Sequence, residues 1–369
     1  MGFGLPLLAA LAAIPLLIQT LGAERFGILT LVWAVVSYFG LFDLGLGRAL
    51  TQQLTARWAR GEQGEAERLI ATALAATAGL GVIAGVLLAA GAEWSVRQLG
   101  GVSNPGETVA AIYWMSVAMP FVIVTSALRG VLEARSAFGV INLIRLPLGL
   151  YTFLAPLAVV YYWENDLASI AIALALGRIV AFIAHLESWR RLTPAGGGWT
   201  GADRSTLRDL LRSGGWMTVS NVISPLMGYL DRFVIGLTIS VAAVAYYVTP
   251  YEIITKLWII PGALTAVLFP RFARAPVERA ADAAALFRRS VLLLFVVLYP
   301  VTLGIALFSD ALLSLWIGAE FAGQSHHMLQ VFALGILVNC LAHVPFTFLQ
   351  AVGRAKTVAM LVNNFVPFE

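Results

Sequence analysis

Residues 167–191 have the sequence LASIAIALALGRIVAFIAHLESWRR, and this stretch decides the fold. It is almost continuously apolar for about twenty residues, which at about 1.5 Å per helical residue matches a hydrocarbon layer about 30 Å thick. Backbone groups in lipid must bond to one another, which favours a helix. We therefore predict a membrane-spanning helix that ends at the basic pair Arg190 and Arg191.

The rest of the chain repeats this pattern. Of its 369 residues, 60% are hydrophobic and only 12% are charged, and the mean hydropathy is +0.85. No set of soluble domains needs so much apolar surface. The predicted spans are Gly2–Leu21, Phe26–Gly47, Leu69–Gly91, Thr108–Val131, Phe138–Trp163, Leu167–Trp189, Gly214–Ile239, Ala242–Phe269, Phe287–Phe308, Phe321–Val352, and an eleventh from Thr357 onward. The fold class is thus an all-α polytopic membrane protein.

Residues 192–212 form the most linker-like part of the chain, because they combine Pro194 with three consecutive glycines and alternating charges. They separate an N-terminal six-helix lobe, residues 1–191, from a C-terminal lobe, residues 213–369. We predict two pseudo-symmetric helical bundles around a central cavity, as in alternating-access transporters. Because the chain stops within its eleventh span, we expect twelve or more spans in the complete fold and a truncated second lobe.

Basic residues occupy alternate loops between the spans, and the intervening loops carry only Arg25 and Arg97. Lysine and arginine resist translocation, so the basic loops are predicted to be cytoplasmic and the N-terminus to start inside. The net charge of +4 follows from this topology and from contact with anionic lipids. Basic residues dispersed between spans argue against nucleic-acid binding.

Motifs of catalysis and metal binding are missing from the sequence. It has no metal-ligand spacing of His, Asp or Glu, no glycine-rich phosphate loop followed by lysine, and no arrangement typical of a nucleophile. The single cysteine, Cys340, lies in an apolar run and excludes an internal disulfide. We therefore expect neither an enzyme nor a bound cofactor or metal.

Four cationic side chains lie within predicted spans and well away from the span ends: Arg145, Arg178, Arg232 and Lys256. A charge at the centre of a membrane helix costs about 2.5–3.5 kcal/mol on insertion scales, so such residues usually face a cavity or one another. Arginine presents a planar fork that matches phosphate oxygens. We therefore predict that these four residues form a cationic substrate-binding cavity, which suits an anionic head group such as a pyrophosphate better than a cationic drug.

Two acidic residues accompany these cations. Asp231 directly precedes Arg232, and Glu252 lies four residues before Lys256 on the same helical face. Both acids are candidates for coupling transport to protons or sodium. For Glu252 the alternative is an intrahelical ion pair with Lys256 that neutralises both charges.

Asn221 and Ser224 form a polar stripe with Asp231 on one face of the seventh span. Such a stripe is typical of a cavity lining. The alternative is a set of hydrogen bonds that hold helices together in lipid.

Asp43, Gly45 and Gly47 mark the end of the second span. The glycines end a helix at little cost, and Asp43 can cap it locally. These residues form either a helix stop or a hinge that lets one lobe rock.

Several segments resemble a known family. Residues 24–27 and 38–50 resemble the second helix and its exit in bacterial polysaccharide transporters, the O-antigen and exopolysaccharide flippases of the multidrug/oligosaccharidyl-lipid/polysaccharide exporter superfamily. Residues 213–274 resemble the family's seventh and eighth helices, most clearly at Asp231–Gly236 and Val244–Tyr247. Of the four cations, only Arg232 lies in a matched motif.

The resemblance implies a flippase that moves a polyprenyl-pyrophosphate-linked oligosaccharide from the cytoplasmic to the outer leaflet of the bacterial inner membrane. Its implied partners are membrane lipids, that glycan, a polysaccharide polymerase and glycosyltransferases. A rival function is a proton- or sodium-coupled multidrug exporter of the same superfamily, which would depend on Asp231, Glu252 and Asp43 rather than on the cations. A second rival is a membrane enzyme that acts on lipid-linked sugars.

Overall fold

The computed structural model describes residues 4–39, 46–192, 201, 203–278 and 280–352, and it describes their side chains except those of 211–227 and 274–283. Every regular element in these ranges is a helix. The helices are α1 (Gly4–Phe39), α2 (Leu46–Ala59), α3 (Gln63–Gln98), α4 (Pro105–Ala134), α5 (Phe138–Tyr162), α6 (Leu167–Leu192), α7 (Arg204–Thr238), α8 (Val241–Ile254), α9 (Ile259–Glu278), α10 (Ala280–Leu307), α11 (Ser309–Trp316) and α12 (Ala319–Ala351).

Eight helical segments within the described ranges are long and apolar enough to cross a membrane. The segment that decided the prediction, α6, is one of them and runs from Leu167 to Leu192. The predicted all-α, polytopic membrane fold is therefore confirmed.

Helix α1 consists of two arms that meet at Gly22. The first arm runs beside α5 in the same direction. Near its start, the side chain of Pro6 packs against Gly149, where a Cβ would lie 2.9 Å from Cγ of Pro6. Near its end, the carbonyl of Thr20 accepts a hydrogen bond of 3.1 Å from Nδ2 of Asn165, beyond the C-terminal end of α5. This arm corresponds to the first predicted span.

The chain of α1 reverses at Gly22, whose φ of +78° and ψ of 164° are not helical. A residue with a side chain rarely adopts that backbone conformation, whereas glycine does so freely. In the second arm, Trp33 packs edge-on against Phe153 in the middle of α5, with ring centroids 5.3 Å apart. The second arm therefore returns along α5, as expected for the second of two separate spans.

The predicted eighth span, Ala242–Phe269, lies within one helical span, Val241–Ala273, that contains a 3-10 turn. Helices α8 and α9 are joined by a 3-10 turn, Thr255–Trp258, in which Oγ1 of Thr255 donates a 2.9 Å hydrogen bond to the carbonyl of Tyr251. Pro250 in α8 and Pro261 in α9 each lack a backbone donor, which loosens the helix on both sides of the turn. Lys256 therefore lies in the 3-10 turn, and Glu252 lies in the last turn of α8 before it.

Helices α3 and α4 approach closely because two glycines on α3 face the backbone of α4. A Cβ at Gly81 would lie 2.5 Å from Cα of Pro120, and one at Gly85 would lie 2.6 Å from the carbonyl oxygen of Ser116. Small residues four apart let membrane helices pack backbone to backbone, where van der Waals contact replaces the hydrophobic driving force. This contact fixes α4, which carries part of the candidate site.

The chain divides into two compact units, Met1–Ala245 and Tyr246–Glu369. The predicted division into lobes falls instead at residues 192–212, and it stays a prediction. Contacts between neighbouring helices show that α3 to α7 of the first unit run in alternate directions. Arg135 after α4 stacks on Trp58 of α2, so basic residues such as Arg57, Arg60 and Arg135 lie at one end. We call this the basic end of the first unit and the other the opposite end.

An ion pair joins three segments at the opposite end. Nη2 of Arg25 lies 2.9 Å from Oε2 of Glu107, whose side chain is only 7% exposed. Nη1 of Arg25 donates to the carbonyl of Asn165, and Oε1 of Glu107 accepts a 2.6 Å hydrogen bond from the backbone N–H of Leu167. Glu107 therefore connects α1, the start of α4 and the start of α6.

Asp203 caps α7 at the basic end. Its carboxylate accepts hydrogen bonds from the hydroxyl of Ser205 and from the backbone N–H of Thr206, which together lower the pKa of Asp203 to about 2. Its own backbone N–H donates to Oγ1 of Thr72 on α3 at 3.1 Å. The cap thus ties the start of α7 to α3, and α7 in turn supplies one wall of the candidate site.

Candidate functional site

A cavity of about 350 Å³ lies inside the first unit, between α1, α4, α5, α6 and α7. Its position toward the basic end follows from its walls, which use the later part of α4 and the earlier part of α5. The lining residues are Val36, Ser37, Val122, Thr125, Ser126, Arg129, Ile141, Arg145, Leu148, Arg178, Ala181, His185 and Tyr229.

Two of the four predicted cationic residues meet in this cavity. Arg145 enters from α5 and Arg178 from α6, although 33 positions separate them in sequence. Helices α5 and α6 approach closely at Gly177, where a Cβ would lie only 2.4 Å from Cε1 of Tyr151. The hydroxyl of Tyr151 donates a 2.8 Å hydrogen bond to the carbonyl of Ala173, which holds the ring against α6. This packing brings the two guanidinium groups to a common space.

Arg129 is a third cation of the cavity, and sequence reasoning missed it because it was counted among the loop arginines. It lies within α4, close to the basic end. Its Nε is 3.5 Å from Oε1 of Glu133, one helical turn further on, and both side chains are partly exposed. The fork of Arg129 can therefore serve the cavity while its Nε side faces Glu133.

His185 is a buried residue in the lining of the same cavity. Its Nδ1 lies 2.7 Å from the carbonyl oxygen of Ala181 in the preceding turn of α6. Because a carbonyl oxygen only accepts, Nδ1 carries the proton in this contact, and the Nε2 atom is the one left for other partners. His185 lies seven residues from Arg178 and therefore on the same face of α6.

Arg232 is placed behind the cavity wall rather than in the lining. It is 5% exposed, and its Cζ lies 5.0 Å from the ring centroid of Tyr229, which does line the cavity. A guanidinium group over an aromatic face is stabilised by a cation–π interaction. Oδ1 of Asp231 accepts a 2.8 Å hydrogen bond from the backbone N–H of Arg232. Arg232 thus positions Tyr229 at the cavity.

Lys256 belongs to the second compact unit. Its Nζ lies 3.1 Å from Oε2 of Glu252, and both side chains are about 40% exposed. The contact is the intrahelical ion pair that the spacing of four residues predicts as the alternative role of Glu252. The role of Lys256 as a substrate-binding cation, and that of Glu252 in ion coupling, stay predictions.

The remaining predicted site residues are only partly within the described structure. The side chains of Asn221 and Ser224 lie outside it, as do Asp43 and Gly45. Gly47 lies in the first turn of α2, and its carbonyl accepts a 2.9 Å hydrogen bond from Oγ1 of Thr51. Their roles as cavity lining and as a hinge therefore stay predictions.

The cavity is suited to an anion. Three arginines line it, and no aspartate or glutamate is among the described residues of its walls. Two opposite unit charges 4 Å apart interact by about 1 kcal/mol in water and by about 4 kcal/mol at an effective dielectric constant of about 20. A low-dielectric cavity with this lining therefore attracts phosphate-like groups and disfavours cations.

Solved structures share this fold. An inward-facing multidrug resistance MATE family transporter of the MOP superfamily is 15% identical, with matching regions of 98% of this chain and 86% of that chain and a TM-score of 0.75. A MOP superfamily transporter from Pyrococcus furiosus is also 15% identical, over 98% of this chain and 82% of that chain, with a TM-score of 0.61. This chain therefore shares the fold of these two proteins.

Sequence comparison then gives the family. The model of the family described as "Polysaccharide biosynthesis protein" matches residues 4–275, so the chain belongs to that family. A Shigella flexneri protein named "Putative O-antigen transporter" is 28% identical over 370 residues, which cover 100% of this chain and 87% of that protein. The matched family and the shared fold confirm the resemblance drawn from the sequence motifs.

Proposed function

We propose that this protein is a flippase for a polyprenyl-pyrophosphate-linked oligosaccharide, and that the cavity around Arg129, Arg145 and Arg178 holds the pyrophosphate. The observation that supports the proposal is the convergence of three arginines from three helices on one cavity of about 350 Å³. That volume lies at the small end of the range for small-molecule sites, which suits a head group rather than a long glycan. The name of the S. flexneri relative agrees with a glycan substrate.

Several arginines spread over the walls suit transport better than one tight ion pair. A flipped head group must lose its water on entry and regain it on exit, so binding must be strong enough to replace hydration and weak enough to allow release. Hydrogen bonds to charged groups each contribute about 1.5–3 kcal/mol net, and several of them can break one after another. Successive release is compatible with an alternating-access cycle in which the two predicted lobes rock.

The location of the cavity agrees with the predicted direction of transport. Basic loops favour the cytoplasmic side, and the cavity lies toward the basic end of the first unit. With the N-terminus inside, as predicted, the head group would enter from the cytoplasmic leaflet of the bacterial inner membrane and leave toward the outer leaflet. Asp231 and Glu252 are the proposed ion-coupling residues, and the segment from Asp43 to Gly47 is the proposed hinge.

The alternative is a proton- or sodium-coupled multidrug exporter, and likeness to MATE transporters is the observation in its favour. That function requires acidic residues to bind a cationic drug. Asp231 and Glu252 would then be essential, and neutralising the arginines of the cavity would matter little.

The decisive experiment is a flipping assay in proteoliposomes with a fluorescent polyprenyl-pyrophosphate-linked sugar. We expect the double variant Arg145→Ala, Arg178→Ala to lose at least about tenfold in initial rate, because about 1.4 kcal/mol corresponds to a factor of ten. Arg97→Ala is the matched control, since Arg97 lies at the opposite end and pairs with Glu93 at the surface. Full activity of the double variant would remove the proposal. The alternative would be established if Asp231→Asn and Glu252→Gln abolished drug efflux while the arginine variants retained it.

A further inference from the structure

An apolar groove of about 350 Å³ runs between α5 and α6, adjacent to the cationic cavity. Apart from the ring of Tyr151, its lining consists of aliphatic residues, proline and glycine. Its lining includes three residues that are each more than half exposed: Leu143, Leu176 and Val180. Large exposed apolar residues on a membrane helix face lipid, so the groove is accessible to a hydrocarbon chain from the bilayer.

The groove and the cationic cavity share a wall. Leu148 on α5 and Ala181 on α6 line both spaces. On one side of this wall lie Arg145 and Arg178, and on the other side every lining residue but Tyr151 is apolar. The wall is thin at Ala181, because alanine projects only a methyl group. A molecule with an anionic end and a hydrocarbon end could therefore place the first in the cationic cavity and the second in the groove, both along α5 and α6.

We propose that the groove between α5 and α6 holds the first isoprene units of the same polyprenyl pyrophosphate whose head occupies the cationic cavity. The inference rests on the proposed function and extends it from the head group to the lipid. It assigns to Leu176 and Val180 a contact with the substrate's hydrocarbon chain. It also makes the α5–α6 pair the element that recognises the junction between phosphate and lipid.

Head and chain contribute differently to such binding. Lipid tails are as apolar as leucine, so moving a hydrocarbon chain from the bilayer into the groove yields little hydrophobic free energy. What concentrates the chain there is its covalent link to a head group already bound next door, which raises its effective concentration. Occupancy of the groove by the isoprenoid should therefore depend on the arginines of the cavity.

Shape provides the selectivity. The rigid ring of Tyr151 lies over Gly177, where even a methyl group would be 2.4 Å from Cε1 of the ring. An isoprenoid has methyl branches that can fill the recesses between such a ring and the neighbouring leucines, whereas a straight acyl chain lacks them. An ordinary membrane phospholipid is the competing occupant, and the experiment separates the two.

The test is site-specific photo-crosslinking on the full chain in nanodiscs. Benzoylphenylalanine replaces Leu176 in the groove or, as the control, Ile183, which lies on the same helix outside the groove lining; the two residues are 53% and 54% exposed. One probe is radiolabelled polyprenyl pyrophosphate without sugars, and the other is radiolabelled phosphatidylglycerol. We expect at least about tenfold more polyprenyl label at position 176 than at 183, since the tether confines the chain to the groove.

Three results would overturn the inference. These are equal polyprenyl labelling at the two positions, labelling of position 176 by phosphatidylglycerol as efficient as by the polyprenyl probe, and labelling that persists in full when Arg145→Ala and Arg178→Ala are added. Binding of inorganic pyrophosphate, measured by calorimetry, reports on the head-group site separately. If pyrophosphate binds and depends on the arginines while position 176 is not preferred, the groove assignment fails and the proposed function stands. If pyrophosphate does not bind, both fail.

A second variant avoids the photoreactive side chain. Val180→Trp should obstruct the groove and lower flipping by about tenfold or more, while binding of inorganic pyrophosphate stays unchanged. Val86→Trp on α3 is the control, because Val86 is similarly exposed and lies outside the groove. Equal flipping by the two tryptophan variants would contradict the proposal.

Discussion

Arg25 and Glu107 form an ion pair of 2.9 Å across 82 residues of sequence, at the opposite end of the first unit from the basic loops. Arg25 was one of only two arginines that broke the alternation of basic loops in the sequence. The structure gives a physical reason for its position, because its charge is balanced by a carboxylate that is almost fully buried.

Removing this carboxylate should destabilise the first unit. Glu107→Ala leaves Arg25 and the backbone N–H of Leu167 without their acceptor, so we expect the free energy of unfolding to fall by about 1–3 kcal/mol. Glu93→Ala is the matched control, since it breaks the surface pair with Arg97 and should change stability by less than about 1 kcal/mol. Equilibrium unfolding in mixed micelles measures the free energy of unfolding of both variants. Equal losses would show that the buried Arg25–Glu107 pair stabilises the protein no more than the surface pair.

The glycine contact between α3 and α4 should tolerate no side chain. Gly81→Ala and Gly85→Ala each place a methyl group within 2.6 Å of the α4 backbone, and we expect each to cost about 1–3 kcal/mol of stability. Gly79→Ala on the same helix is the control, because a Cβ there meets nothing within 4 Å and alanine favours the helix by up to about 1 kcal/mol. The midpoint of thermal unfolding in detergent measures these changes in stability. If Gly79→Ala destabilised the protein as much as Gly81→Ala, the loss could not be attributed to the α3–α4 contact.

Arg129 should contribute to anion binding although it is partly engaged by Glu133. Arg129→Ala should weaken binding of inorganic pyrophosphate by about tenfold, the loss of one charge-assisted contact. Glu133→Gln should not weaken it, because removing the competing carboxylate leaves the guanidinium group to the ligand. Arg135→Ala is the control, since Arg135 stacks over Trp58, 4.0 Å from its ring centroid, and does not line the cavity. A loss of affinity in Arg135→Ala equal to that in Arg129→Ala would mean that only the general charge of the basic end matters.

Exchanging the charges of Glu252 and Lys256 separates local from substrate-binding roles. The double variant Glu252→Lys, Lys256→Glu keeps the pair at a spacing of four residues, so we expect stability to change by less than about 0.5 kcal/mol. If Lys256 binds the anionic substrate, as predicted from the sequence, the exchange should still reduce flipping severalfold. Unchanged flipping would remove Lys256 from the site and leave a local ion pair. The proteoliposome assay described above measures the flipping rate of the exchanged variant.

Hydropathy and span length were sufficient to predict the class of fold. They also placed Arg145 and Arg178 inside spans, and the cost of charge in hydrocarbon then indicated a cavity. That two residues from different helices meet in the same cavity depends on tertiary packing, here of Tyr151 against Gly177, which no local pattern contains.

Arg129 shows why part of the site could not be predicted. Its position near the end of a span makes it indistinguishable, by sequence alone, from an arginine that only fixes topology. The partner of Arg25 was equally hidden, because an ion pair across 82 residues leaves no local signal. The 3-10 turn at Thr255–Trp258 lies between Pro250 and Pro261, and prolines loosen a helix without specifying the geometry of the loosened segment.

The three arginines in the cavity lining have a practical consequence for binding experiments. Phosphate, sulfate and citrate are small multivalent anions, and on the proposed assignment each would compete with the head group for the space around Arg129, Arg145 and Arg178. Affinities determined in phosphate-buffered saline would then report displacement of buffer and underestimate intrinsic binding. Purification in chloride or gluconate media at moderate ionic strength is the appropriate starting condition.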